Sequence, residues 1–136
     1  MKKTQFLLIL VSLLVLTGCS SYNQSNERLG DKNSRFESLE ELKEAFVEAG
    51  GQCWGWKLAT HPDELENLIG KGDCDSKTVL IVYDDYIDVE QEAINSRRHN
   101  ESLGFKTSYL FGGNWFINSD QVEVVYPKMG GTLMTR

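Results

Sequence analysis

One apolar run near the start of the chain decides how much of it is left to fold. Phe6 to Leu16 is apolar except for Ser12, and Lys2 and Lys3 precede it. Such a run fits the core of an export signal, about 7–15 residues after a positive start. It falls short of the roughly 20 residues a membrane-spanning helix needs. Strongly polar sequence follows from Ser20. The start of the chain therefore reads as an export leader, and the fold must be built from what comes after it.

The run ends in Leu16-Thr17-Gly18-Cys19. This resembles the lipobox of bacterial lipoproteins, Leu-(Ser/Thr/Ala)-(Gly/Ala)-Cys. The resemblance implies cleavage before Cys19 and diacylglycerol on its thiol, so that the partner is the membrane itself. It also implies a place at the cell membrane, lipid-anchored and facing outward. Two acyl chains anchor stably where one is marginal. The competing readings are a secretory signal cut elsewhere, with Cys19 an ordinary thiol, and an uncleaved anchor. Residues 19–34 include "SSYNQSNERLGDKNS" (20–34), rich in Ser and Asn and poor in large apolar groups. Such a segment buries too little surface to offset its ordering entropy. It reads as the lipid anchor's flexible tether, leaving 35–136 as one small domain of about 100 residues.

Charge narrows the partners. The chain has 14 Lys and Arg against 20 Asp and Glu, a net of −6. Losing Lys2 and Lys3 with the leader makes it −8. Nucleic-acid binding needs a basic face, so no nucleic-acid partner is expected. Docking on anionic lipid by overall charge is equally disfavoured.

Three cysteines are present. With Cys19 acylated, Cys53 and Cys74 remain, and two cysteines in an exported chain most simply pair. A bridge across the intervening residues is worth roughly 3 kcal/mol in the chain-entropy account, which matters for so small a core. The alternative is two free thiols for metal or redox work. It has no Cys-x-x-Cys and no histidine at zinc-finger spacing to support it.

The elements follow from pattern. Ser38-Leu39-Glu40-Glu41 is a capping box. Leu39, Leu42, Phe46 and Ala49 then share a helical face ending at Gly50-Gly51, which predicts a helix over 39–49. "QCWGWKLA" (52–59), if a strand, carries Trp54 and Trp56 on one side and Cys53 on the other. "THPDELENLIG" (60–70) is ambiguous: Leu65, Leu68 and Ile69 have helical spacing, and Pro62 with Asp63 suits a first turn. "KTVLIVYDD" (77–85) is a β-branched run of the kind buried on both faces. A charged helix is expected from Asp88 to Ser102 with Gly104 as terminator, and two strands around Gly112-Gly113-Asn114. Residues 120–130 are contested: Val122, Val125, Tyr126 and Met129 favour a helix, broken or kinked near Pro127. Val-Glu-Val-Val-Tyr favours a strand. The expected fold is α+β: a small single domain with a mixed or antiparallel sheet, two to three helices packed on one face, and one disulfide.

The order "AGGQC", "GKGDC", "VLIVYDD", "GGNWFIN", "KMGGTL" resembles a group of small secreted or lipid-anchored proteins of Gram-positive bacteria. The resemblance implies the same α+β fold and supports the Cys53–Cys74 bridge. It implies no activity, and the tract around Pro127 departs from its pattern.

Candidates for chemistry are few. Asp84, Asp85, Asp88 and Glu90 cluster after the long strand, but their spacing is not that of an EF-hand loop. Capping by Asp88 explains them more simply. His61 and His99 read as surface residues. No Gly-x-Ser-x-Gly elbow or phosphate loop occurs, and no cofactor or metal is expected. Trp54, Trp56, Trp115, Phe116, Tyr109 and Phe111 are a heavy aromatic load; most should form the core. Exposed members would make a binding face, and the Trp54/Trp56 side is the candidate. The leading expectation is a non-enzymatic binding or accessory lipoprotein of the cell envelope, its envelope or protein partner unknown. The alternatives are a small extracellular hydrolase or metal-dependent enzyme using Asp84–Glu90, and a mobile-element exclusion lipoprotein.

Overall fold

The computed structural model describes residues 31, 33–59, 67–75, 77–84 and 87–136. The lipobox, Cys19 and most of the tether lie outside these residues, as do His61, Leu65 and Asp85.

The first helix, α1 (Leu39–Glu48), forms where its caps require it. Ser38 Oγ accepts from the Glu41 amide at 3.2 Å. Glu41 reaches back one residue further than a capping box demands, accepting from the Glu37 amide at 2.9 Å. At the other end Gly50 N–H donates to Val47 O and Gly51 N–H to Phe46 O, the paired closure of a Schellman motif. Gly50 is left-handed (φ 106), and a Cβ at Gly51 would strike the Phe46 ring. Leu39, Leu42 and Phe46 are buried.

Six strands follow, with two further helices: β1 (Trp56–Leu58), β2 (Leu68–Cys74), β3 (Thr78–Tyr83), α2 (Val89–Ser102), β4 (Tyr109–Phe111), β5 (Trp115–Asn118), α3 (Val122–Met129) and β6 (Thr132–Met134). The strands lie in the order β1-β2-β3-β5-β4-β6, and every neighbouring pair is antiparallel. The α+β class and the antiparallel sheet thus agree with the sequence reading.

The helices divide between the two faces. α1 and α3 cover one face, where Leu80, Val82, Leu110, Trp115 and Ile117 meet Leu42, Phe46, Val122, Val125 and Met129. α2 covers the other, where Val89 and Ala93 pack with Tyr109, Phe111 and Phe116. Two helices share a face as expected; the third does not join them. The physical reason is in β4 and β5. Tyr109–Phe111 and Trp115–Ile117 are buried on both pleat faces, so the sheet needs a cover on each side. β3 alternates instead: Leu80 and Val82 are fully buried, while Ile81 and Tyr83 are half-buried.

Three segments left open by the sequence are resolved. Leu68 and Ile69 open β2 rather than lying on a helix. The strand near Cys53 begins only at Trp56, so residues 52–55 are loop. Finally, α3 runs through Pro127 to Met129 instead of breaking there. Pro127 is exposed, as is Glu123 one turn earlier, so the proline lies on the solvent side of the helix, where a lost backbone bond costs least.

Candidate functional site

The disulfide corner is built where three elements meet. Cys53 and Cys74 lie at bonding distance, with sulfurs 2.01 Å apart. Cys74 ends β2, fully buried, and its register partner on β1 is Trp56. The bridge therefore ties the loop before an edge strand to the strand beside it. The loop has a second fastening. Gln121 Oε1 accepts from the Gln52 amide at 2.8 Å, and its Nε2 donates to the Gln52 carbonyl at 3.2 Å. Gln121 also reaches Thr78 Oγ1 at 3.4 Å, next to the buried Thr78–Ser119 hydroxyl pair at 2.7 Å.

This fixed loop displays Trp54, which is 71% exposed. Gly55 follows in the left-handed region (φ 64), turning the chain into β1. Trp56 behaves differently. It is half-buried, and a Cβ at Gly72 would collide with its ring. Lys43 Nζ sits 5.0 Å from the ring centroid, a cation–π contact across to α1. Of the two tryptophans singled out by sequence, Trp54 is presented to solvent and Trp56 is part of the wall behind it. Strand alternation does not relate them, since Trp54 precedes the strand.

The acidic region lies elsewhere. Asp88 Oδ1 accepts from the Gln91 amide at 3.1 Å and caps α2. Glu90 is exposed in the first turn, and Asp84 is exposed after β3. Among the described residues no three His, Cys, Asp or Glu side chains are grouped to hold a metal ion. His99 is exposed in the last turn of α2. Tyr83, close to this region, has its phenol pushed up to about 12, first by burial and then by the negative charge of Glu92.

Sequence reasoning missed a cleft at the end of the sheet where β3 and β4 begin and β5 and β6 finish. Its volume is about 310 Å³, and its lining includes Lys77, Lys106, Arg136, Ser108, Asn118 and Asp120. Each cation stands alone in its own segment of the sequence. Only the strand order brings them together, so no local motif could have flagged them.

No family model, no curated protein and no solved structure matches this chain.

Proposed function

We propose that this chain is a lipid-anchored extracytoplasmic protein: a disulfide-stapled α+β module held at the outer face of the cell membrane by diacylglycerol on Cys19. It serves as a non-enzymatic binding or accessory component of the envelope, and Trp54 is its principal contact residue. The observation that carries the reading is the placement of sulfur. Leu16-Thr17-Gly18-Cys19 stands at the end of an export-type apolar run. The other two cysteines are at bonding distance, an arrangement that persists in oxidising compartments.

Trp54 supports the binding half of the proposal. An exposed indole is costly to leave in water, and exposed tryptophans are enriched among residues that dominate protein interfaces. Here the loop is fixed by a disulfide and by two hydrogen bonds between Gln52 and Gln121, so little ordering entropy is left to lose on binding. The test is cross-linking on intact cells with the wild-type chain and Trp54→Ala. A partner captured by the first and lost by the second upholds the proposal; identical capture by both contradicts it.

A further inference from the structure

We propose that the cleft lined by Lys77, Lys106 and Arg136 is a binding site for a phosphate-bearing anion. The three cations come from three places: the turn between β2 and β3, the approach to β4, and the segment after β6. Among the described residues, no carboxylate lies within ion-pair distance of any of them. Asp120 is the one acidic side chain among the lining residues. Set against Asp120, the three cationic side chains leave the lining with an excess of positive charge in a chain of net charge −6, and a bound anion balances that excess.

The lining suits phosphate in detail. Arg136 offers a planar fork matched to two phosphate oxygens, and the lysines offer compact point charges. Ser108 and Asn118 add neutral donors. The floor is fixed in advance: Ser119 N–H donates to Ser108 O at 3.2 Å, and Ser119 Oγ pairs with buried Thr78 Oγ1 at 2.7 Å. A volume of about 310 Å³ is at the small end for ligand sites. It accommodates a phosphate with a glycerol- or sugar-sized substituent. The anion can come from a phospholipid headgroup or from a soluble phosphate ester. The assignment holds with or without an acyl group on Cys19.

Lysine reactivity tests it. The purified chain is placed in phosphatidylcholine vesicles and treated with an amine-reactive reagent, with exposed Lys57 as internal control. Inorganic phosphate is titrated at constant ionic strength against chloride. Lys77 and Lys106 should react about tenfold more slowly at phosphate ten times its dissociation constant, with Lys57 unchanged. Arg136→Glu should abolish that protection. Protection without added phosphate in phosphatidylglycerol vesicles, again absent in Arg136→Glu, assigns the headgroup; protection by phosphate alone assigns a soluble ester. No protection from either source, equal slowing of Lys57, or full protection in Arg136→Glu overturns the site.

Discussion

The side-chain amide of Gln121 pairs with both backbone groups of Gln52, accepting at 2.8 Å and donating at 3.2 Å. In effect it substitutes for a neighbouring strand beside a loop that has none. Gln121→Ala should cost about 1 kcal/mol, the usual net worth of exposed hydrogen bonds. A urea unfolding series checks it through the shift in midpoint. Because the disulfide remains, the fold should survive, with faster amide exchange at 52–55.

The two tryptophans should separate cleanly under mutation. Trp54→Ala removes a side chain that is 71% exposed, so its unfolding midpoint should stay within about 0.5 kcal/mol of wild type. Trp56→Ala removes a ring packed against the core and under Lys43. It should destabilise by about 2 kcal/mol, less than a fully buried aromatic would. Equal losses in urea would show that Trp54 is structural after all.

Asn114 should be among the most sensitive polar positions. It is buried, accepts from the Phe36 amide at 2.9 Å, and donates to the carbonyls of Phe36 at 2.9 Å and Tyr83 at 3.1 Å. Beside it Trp115 Nε1 donates to Ser34 O at 3.1 Å. Together they clip residues 34–36 to the β4–β5 hairpin. Asn114→Ala strands part-buried backbone groups and should cost about 2 kcal/mol. Hydrogen exchange should show residues 34–36 released well before the sheet.

Tyr83 gives a pH signature. Its folded-state value of about 12 lies above the ordinary 10.0, so the folded state holds the phenolic proton more tightly than the unfolded state does. The stability it contributes is complete below pH 10 and is lost as pH rises from 10 towards 12. Tyr83→Phe should flatten that part of the stability profile. Ultraviolet titration of the phenolate band should lose its step at about 12 in the same variant.

Much of the fold was legible in the sequence because its signals are local. Ser38 with Glu41 announced α1, Asp88 announced α2, and Gly112-Gly113-Asn114 announced the β4–β5 turn. Of three cysteines, the lipobox resemblance sets Cys19 apart and leaves Cys53 and Cys74 to pair. What was not legible depends on tertiary arrangement. Leu68 and Ile69 have helical spacing, but antiparallel pairing with β3 makes them strand. α2 has a thin apolar stripe, and nothing in its own residues says which sheet face it covers. Thr132–Met134 carries no strand signal of its own and is ordered by pairing with β4. The cationic cleft is the extreme case, since Lys77, Lys106 and Arg136 become neighbours only through the strand order.

The central claim is that one sulfur anchors the chain and the other two close the fold. Intact-mass measurement of the chain from the membrane fraction, without reductant, tests it most directly. The account predicts a polypeptide beginning at Cys19 that carries diacylglycerol there and has no titratable thiol at Cys53 or Cys74. An unacylated chain still beginning at Met1, with three free thiols, would contradict it.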